Sequence, residues 1–532
     1  MNSPEQIGKD AAHFVYASLP PAVVSPPMTL LGQILDDKKV GGTSRVSDLA
    51  AQEGSQPNSL DEFVSAKDDA TRLLLWFGEE RLRKCWGDTS DWIVEQIDRD
   101  MAKIDSMVES QLNAVLHSHL FQRLEASWRG IEYLVEKREQ FSDSRIIVKL
   151  LNVSWAELNR DFESSVEFDQ SQFFRKIYEE GMGQAGADPF SAIIADYFIH
   201  PRLSREHRFD DMNNLRGLAH VAAAAFCPLI INAHPSMFSV DHFSDLKNSI
   251  NLQSLHSGLD FFAWQRFREL EDSRFVSVAL PQLLMRRPYR ENFDLGFPFT
   301  ERVAHSDDYL WGGAAFGMAE VLMRSFADSG WFANIRGAQR GVEGGGVVTG
   351  PAFDPFGTEP LENAARSITD IVLNDDFERE LSGAGFLPMC ACKDMPLAAF
   401  YSAASAQKPK EFNTQEATMS ARLSTMLNYM LCVSRFAHYL KWIARDKIGS
   451  CATPEELQSV LQKWILDYVT PDKNASASTR LRKPLLEAEI RVIAIPGRAG
   501  EYESVFHLVP HHELDDMRVS IRLDTKLMPA RR

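Results

Sequence analysis

The fold class is decided by three short apolar runs, which read Arg145-Ile146-Ile147-Val148-Lys149-Leu150-Leu151, Phe226-Cys227-Pro228-Leu229-Ile230-Ile231 and Phe275-Val276-Ser277-Val278-Ala279-Leu280. Apolar runs of this length, rich in Val and Ile, predict buried β-strands. Helical periodicity appears between them, for example from Asn213 to Ala225. Strands that alternate with helices are typical of an α/β fold, so we expect a mixed α/β or α+β protein in the middle of the chain.

Two long helices are predicted before the first of these strands. An apolar stripe with steps of three and four residues starts the first helix, at Ile93, Ile97, Met101, Ile104 and Val108. After a break at His117 to His119, the same spacing resumes and continues to Val135. A stripe of this kind marks the face of an amphipathic helix that packs against another surface.

The last part of the chain combines a long helix with strand patterns. Helical spacing extends from Ala417 to Lys447, and a Pro496-Gly497 turn separates two alternating runs that predict a β-hairpin. A final segment, Met517 to Asp524, alternates apolar and polar residues throughout. It reads as a half-buried strand that needs a partner edge.

Breaks in composition divide the chain into four predicted regions. Residues 1–60 form a flexible arm, mostly irregular with one short helix, and 61–140 form a helical region. Residues 141–410 form the α/β core with its outer loops, and 411–532 carry the long helix, the hairpin and the terminal strand. Within the core, the glycines between Gly337 and Gly346 predict either a mobile loop or a tight crossing of two backbone segments.

Composition excludes several classes of function. The chain has 532 residues, 44% hydrophobic and 25% charged, which is typical of a globular protein of several domains. Its net charge of -17 opposes general attraction to nucleic acid or anionic lipid. With no long apolar run and no secretory signal pattern in the first thirty residues, we expect no direct membrane insertion and a cytoplasmic location.

No motif for catalysis or cofactor binding stands out. The glycines near Gly345 lack the Lys and Ser or Thr of a phosphate loop, and Cys390-x-Cys392 is too tight for a zinc knuckle. The group His200, Arg202, Arg205, His207 and Arg208 could hold a metal or an anion, but its neighbours are typical of a solvated loop. We therefore expect no catalytic residues, no cofactor and no metal site, and the six cysteines read as reduced thiols.

Paired carboxylates occur at Asp210-Asp211, Asp307-Asp308 and Asp375-Asp376. Acid–base chemistry would need environments that separate the two pKa values of a pair, and adjacent loop residues give no sign of this. Helix starts and turns account for the three pairs better.

A set of longer motifs points to one family. In chain order they are Phe121-Gln122-Arg123-Leu124-Glu125-Ala126-Ser127-Trp128-Arg129-Gly130, Glu271-Asp272-Ser273-Arg274-Phe275-Val276, Tyr309-Leu310-Trp311-Gly312, Gln407-Lys408-Pro409-Lys410 and Ser434-Arg435-Phe436-Ala437-His438-Tyr439-Leu440-Lys441. Together they resemble the large-subunit family of type VI secretion contractile sheaths, from near residue 90 to Leu527. The resemblance implies a fold like that of phage tail sheaths, and a structural role rather than an enzymatic one.

The resemblance also implies a set of partners. These are a small sheath subunit, further copies of this chain in stacked rings, an inner tube protein, a baseplate and a Clp-type AAA+ ATPase that dismantles the contracted sheath. Contraction would drive the tube and its spike towards a target cell.

Two surfaces are assigned to this work. We expect Met517, Val519, Ile521 and Leu523 to form an inter-subunit strand, although the same strand could instead close the sheet of its own chain. The stripe Ile93, Ile97, Met101, Ile104 and Val108 is expected to contact the small subunit. A non-polymerising sheath paralogue or scaffold of the same apparatus is the alternative, followed by an enzyme with an unrecognised site.

Overall fold

The computed structural model describes residues 12–17, 59–78, 90–141, 144–184, 187–205, 207–246, 250–290, 297, 299–338, 344–355, 366–392, 395–447, 453–472, 475–494 and 502–511. The chain forms two compact units. The first contains residues 1–21, 123–287 and 309–532, and the second contains 22–122 and 288–308.

The main helices are α1 Ser59–Ser65, α2 Asp69–Phe77, α3 Ser90–Leu116, α4 His119–Gln140, α5 Trp155–Ser164, α6 Asp211–Ala224, α7 Leu252–His256, α8 Phe262–Arg268, α9 Ala315–Ser329, α10 Asp375–Gly383, α11 Gln415–Ser424, α12 Leu427–Lys447, α13 Pro454–Leu466 and α14 Ala477–Arg482. The strands are β1 Ala12–Ala17, β2 Ile146–Leu151, β3 Ala192–Ile199, β4 Leu229–Ala233, β5 Val276–Leu280, β6 Leu283–Leu284, β7 Trp311–Gly312, β8 Val347–Val348, β9 Phe386–Pro388, β10 Cys390–Ala391, β11 Ala398–Ala399, β12 Leu485–Ala494 and β13 Tyr502–Pro510. A π-helix, Arg175–Gly183, lies between α5 and β3.

A six-stranded parallel sheet forms the centre of the first unit, in the order β2-β1-β3-β4-β5-β9. Successive side chains of a strand point to opposite faces. Ile193 and Ile231 accordingly belong to one core, with α5, α6, α8 and α10. Ile194 and Ile230 belong to a second core, with α4 and α9. Helices cover both faces, as expected for a parallel sheet, so the α/β fold class is confirmed.

The three apolar runs that predicted the fold form β2, β4 and β5. The amino-terminal strand was not predicted. The segment Ala12–Ala17 was assigned to an irregular arm, yet it forms β1 and pairs in parallel with both β2 and β3. Its sequence Ala-His-Phe-Val-Tyr-Ala is rich in residues that favour strands.

The predicted single helix from Ala417 to Lys447 is wrong in one respect, because it divides into α11 and α12. At this point the Thr425 carbonyl and the Leu427 N–H bond to a distant segment instead of to their own helix. The N–H of Ser405 donates to the Thr425 carbonyl at 3.2 Å, and the N–H of Leu427 donates to the Ala403 carbonyl at 2.8 Å. These bonds compete with helical ones and break the helix at this point.

Of the two predictions for the glycine-rich segment, the described residues show the tight crossing. Gly337 donates to the Phe400 carbonyl at 2.8 Å, Phe400 donates to the Gly346 carbonyl at 2.9 Å, and Gly346 donates to the Gly337 carbonyl at 2.7 Å. A Cβ atom on Gly346 would lie 2.1 Å from the Phe400 carbonyl oxygen. Glycine is therefore required there for close approach. Gly341 lies outside the described residues.

The carboxy-terminal part of the first unit has its own core. Phe436 and Tyr439 of α12, Leu461 and Trp464 of α13, and Ile490 of β12 are among the buried residues that pack together there. Strands β12 and β13 pair antiparallel from Leu485↔Pro510 to Ala494↔Tyr502, which confirms the predicted hairpin. The Pro496-Gly497 turn lies outside the described residues.

The second unit contains α1, α2, α3 and the segment from Pro288 to Asp308. Trp76 of α2 donates its indole N–H to Asp100 of α3 at 2.9 Å. The guanidinium of Arg302 donates to both carboxylate oxygens of Glu109 at 3.0 Å, and the Arg302 N–H donates to Asn113 Oδ1 at 2.9 Å. The Arg302 contacts hold the carboxy-terminal half of α3, whereas the Trp76 contact lies in its amino-terminal half.

Candidate assembly surfaces

The predicted stripe on α3 stays largely uncovered within this chain. Ile93, Ile97, Ile104 and Val108 are half-buried and Met101 is 54% exposed. Among the α3 side chains that the structure describes, from Ile93 onward, Asn113 alone is buried. A helix of 27 residues with an apolar stripe and almost no buried side chain has a face available for a partner. Whether the small subunit binds there stays a prediction.

The carboxy-terminal hairpin has one packed face and one open face. Ile490, Val492 and Leu508 are buried against α12 and α13. On the opposite face, Arg491 and Val505 are opposite each other and Val505 is 51% exposed. A two-stranded sheet also has two edges, and unpaired edges are sites at which further strands add.

Two glutamines of α13 occupy the edge of β12. Gln462 accepts from the Ile490 N–H at 2.9 Å, and its amide group donates to the Ala488 carbonyl at 3.0 Å. One turn earlier, Gln458 accepts from the Val492 N–H at 3.1 Å. The side-chain amides thus make the hydrogen bonds that a neighbouring strand would make. The edge of β12 is closed within this chain.

The edge of β13 is more open. Two residues opposite each other in an antiparallel pair either hydrogen-bond to each other or both direct their N–H and C=O outward. Ile490 directs its N–H outward, to Gln462, so Phe506 opposite it directs its N–H and C=O away from β12. Leu508 is covered, because its carbonyl accepts from the Tyr429 hydroxyl at 3.2 Å. Within the described part of the chain, no group hydrogen-bonds to the N–H of Phe506 on this side. A further strand can therefore pair with the part of β13 that precedes Leu508 in sequence.

The predicted inter-subunit strand itself, Met517, Val519, Ile521 and Leu523, lies outside the described residues. Its role stays a prediction. The nearest described residue before it is His511, whose N–H donates to the Pro484 carbonyl at 2.8 Å and so fixes the end of the hairpin.

The paired carboxylates serve mainly as helix starts and turns, as predicted. Asp210 caps α6 by accepting from Met212 and Asn213 at 3.2 Å, and Asp375 lies in the first turn of α10. Asp308 accepts from Ala304 and His305 at 2.8 Å in a turn. Asp211 is different, because its side chain is fully buried.

The surroundings of Asp211 were not predicted from the sequence. Arg202, Arg205 and Arg208 are exposed, as predicted for a solvated loop, but His200 and His207 turn inward. Asp211 accepts from His200 Nδ1 at 3.1 Å and from His207 Nε2 at 2.6 Å. The signal that could have found this group is the four-residue spacing from His207 to Asp211 across a helix start.

Burial and hydrogen bonding compete at this carboxylate. Burial alone would raise the pKa of Asp211, but the hydrogen bonds from His200 and His207 outweigh it, and the pKa lies below its usual value. His234 stacks on His200 with ring centres 3.9 Å apart. Burial, together with His200 and His207, lowers the pKa of His234 to about 3.

In the described part of the chain, no helix is both long and apolar enough to cross a membrane. Among the same residues, His200, His207 and Asp211 are the one group of three or more His, Cys, Asp or Glu side chains with ligand atoms mutually within 4.8 Å. Cys390 is buried in β10, and burial raises its pKa to about 12.

The chain is similar to known sheath proteins along most of its length. Residues 98–407 match the EvpB/VC_A0108 tail sheath N-terminal domain, and residues 416–527 match the EvpB/VC_A0108 tail sheath gpW/gp25-like domain. The type VI secretion system sheath protein TssC1 of Pseudomonas aeruginosa is 36% identical over 445 residues, which cover 82% of this chain and 87% of that protein.

A solved structure, the cryo-EM structure of the anti-feeding prophage baseplate, aligns over 72% of this chain and 77% of the matched chain, with 9% identity and a TM-score of 0.36. This score is too low to establish a common fold. The two domain matches and the identity to TssC1 carry the assignment instead: this chain is a type VI secretion sheath protein of the EvpB/VC_A0108 tail sheath family, the family of sheath large subunits.

Proposed function

We propose that this chain is the structural large subunit of a contractile sheath. It assembles with a small subunit and with further copies of itself into a helical tube around an inner tube. On a trigger from the baseplate, the tube contracts and propels the inner tube and its spike towards a target cell. The observation that best supports this role is the carboxy-terminal hairpin, with one edge closed by Gln458 and Gln462 and the other open at Phe506.

A contractile tube has to stay connected while its subunits move. Strand addition suits this requirement, because main-chain hydrogen bonds give a strong, directional link and a flexible segment on either side permits rotation. In the proposed assembly, residues 517–524 of one copy add to the β13 edge of another. Met517, Val519, Ile521 and Leu523 then lie on the same face as the buried Leu508, and the alternate polar residues face solvent.

The small subunit is proposed to bind the amino-terminal half of α3. The polar contacts of Glu109 and Asn113 with Arg302 hold the other half of this helix within the second unit. Ile93, Ile97 and Met101 precede these contacts, and they are exposed or half-buried. In this proposal residues 61–140 are the small-subunit region, 1–60 an arm, 141–410 the core of the sheath wall, and 411–532 the region that links subunits.

Contraction is proposed to need no nucleotide or cofactor. Assembly would hold the subunits in an extended packing that is less stable than the contracted one, and the trigger would release that difference. A Clp-type AAA+ ATPase would afterwards dismantle the contracted sheath.

The proposal is tested by co-expressing the full chain with its small subunit and examining the product by negative-stain electron microscopy. Helical tubes are the expected result. A soluble complex of the two subunits that never polymerises would contradict the proposal and favour a non-polymerising paralogue or scaffold of the same apparatus.

A further inference from the structure

A cluster of metal-ligand side chains lies at the carboxyl ends of β3 and β4. His200 directly follows β3, His234 directly follows β4, and Asp211 opens α6. In open α/β sheets this edge is where ligands commonly bind. His207, from the loop between β3 and α6, completes the group. The sheath function assigns no role to any of these side chains.

The donor atoms are those of a transition-metal site. Carboxylate oxygens of Asp211, Nδ1 of His200 and Nε2 of His207 approach one another within 4.8 Å. Two imidazoles and one carboxylate form a ligand set that suits zinc and similar ions, whereas calcium and magnesium prefer oxygen ligands alone.

The carboxylate is also held in place by groups that would not bind the ion. The indole N–H of Trp155 donates to Oδ1 of Asp211 at 2.6 Å, and the backbone N–H of His200 donates to Oδ2 at 2.7 Å. Hydrogen bonds of this kind orient the ligands in metal sites. They persist when the two histidines exchange their hydrogen bonds to Asp211 for bonds to a metal.

The two histidine side chains are exposed enough to be reached by an ion, and one of them has to move to bind it. The side chains of His200 and His207 are each 18% exposed, whereas Asp211 is fully buried beneath them. The two imidazoles are stacked with ring centres 3.9 Å apart. Two imidazoles bound at about 2.0–2.1 Å to one tetrahedral ion have their centres about 5 Å apart. His207 therefore has to move by about 1 Å.

His207 can make this movement more easily than His200. His200 is fixed by its backbone hydrogen bond to Asp211 and by the stacked ring of His234. His207 lies on a loop whose neighbouring side chains, including Arg205 and Arg208, are exposed. Movement of His207 changes its stacking on His200 and its edge contact with Phe209, whose ring centre lies 5.9 Å away.

We propose that Asp211, His200 and His207 bind one divalent transition-metal ion of the zinc class. Both imidazoles bind in the neutral form, through Nδ1 of His200 and Nε2 of His207, with the remaining ring proton on the other nitrogen. Water fills the fourth position of the tetrahedron. The site lies outside the proposed inter-subunit surfaces, so it stands or falls separately from the sheath function.

The test is zinc binding by the full chain without an affinity tag, after removal of metals with a chelator. Isothermal titration with Zn²⁺ is expected to give one equivalent, and Co²⁺ is expected to give the strong visible absorption of a tetrahedral site. Asp211→Asn and His207→Gln should each weaken Zn²⁺ binding at least about 100-fold, because a direct ligand matters at least as much as its supporting groups.

The matched control is His220→Gln. His220 lies on the same helix, α6, and pairs with Asp272 at 2.7 Å, away from the cluster. This variant should bind Zn²⁺ like the unaltered chain. Should Asp211→Asn fail to fold, His207→Gln carries the test, because it leaves the buried Asp211 and its hydrogen bonds from Trp155 and the His200 backbone in place. Absence of stoichiometric binding, or equal binding by the unaltered chain and His207→Gln, would overturn the proposal.

Discussion

The side-chain amide of Gln462 hydrogen-bonds to the backbone N–H of Ile490 at 2.9 Å and so takes the position of a neighbouring strand at the edge of β12. The same amide donates to the Ala488 carbonyl at 3.0 Å. Exposed sheet edges promote aggregation, and closing one edge directs strand addition to the other. A hairpin that links subunits then has one defined site for an incoming strand.

Replacement of Gln462 by Leu should destabilise the carboxy-terminal region. The change keeps the approximate size of the side chain but removes two hydrogen bonds, each of which contributes about 1 kcal/mol. We expect the free energy of unfolding to fall by about 2 kcal/mol, measured by urea denaturation. Ser459→Ala, an exposed position on the same helix, is the control and should change little. Equal stability of the two variants would show that the amide does not hold the edge.

A charge on the α3 stripe should abolish small-subunit binding without unfolding the chain. Met101→Asp places a carboxylate at a site that is 54% exposed in the isolated chain and becomes apolar interface in the proposed complex. Co-purification with the small subunit should be lost, while the thermal melting curve stays unchanged. Ala102→Asp, exposed on a different face of the helix, should retain binding. Loss of binding in both variants, or in neither, would contradict the assigned face.

The backbone crossing at Gly346 should not tolerate a side chain. Gly346→Ala would place a Cβ atom 2.1 Å from the Phe400 carbonyl oxygen, and backbone rather than a flexible side chain would have to move. We expect a loss of more than about 2 kcal/mol in unfolding free energy, or failure to fold. The control, Gly383→Ala at the end of α10, meets no atom within 4 Å. It should be neutral or slightly stabilising, since Ala favours helix.

Acid should destabilise the chain through buried histidines. Burial lowers the pKa of His438 to about 3, and burial is also the main cause that lowers the pKa of His256. Below the histidine pKa of the unfolded state, about 6.5, the unfolded chain binds more protons than the folded one. The free energy of unfolding is therefore highest above pH 6.5 and decreases as the pH falls below it. His438 alone should cost about 1 kcal/mol between pH 6.5 and 5.5, because its unfolded form is already half protonated at pH 6.5.

The measurement for this prediction is urea denaturation at pH 7.5, 6.5 and 5.5. His438→Phe should be less stable at pH 7.5, because the hydrogen bond from His438 to the Ala225 carbonyl at 2.9 Å is lost. Its stability should nevertheless fall less steeply with pH. Parallel pH profiles for the variant and the unaltered chain would show that His438 does not contribute to the acid sensitivity.

Local sequence patterns predicted most of the elements but not their partners. The apolar runs gave β2, β4 and β5, because buried parallel strands are apolar on both faces. The interruption at Thr425 was not predictable, because it depends on backbone groups of Ala403 and Ser405 that are distant in sequence. The position of β1 between β2 and β3 was missed for the same reason. Strand propensity does not specify which strand is the neighbour.

The candidate sites likewise were predictable where they depend on a local pattern, and not where they depend on contacts between distant elements. The α3 stripe was visible because its periodicity is local. The contacts of Gln458 and Gln462 could not be predicted, because they join α13 to β12, which lies further along the chain. Glutamine on a helix also ordinarily faces water. Asp211 was read as a helix start, since nothing in the local sequence places Trp155 and His200 against it.

Subunit linkage by residues 517–524 is tested by comparing the full chain with a version that ends at Asp516, each co-expressed with the small subunit and examined by negative-stain microscopy. We expect helical tubes from the full chain and none from the shortened one, although the shortened chain should still bind the small subunit. Tubes of normal length and abundance from the chain without residues 517–532 would contradict the claim that this strand links the subunits.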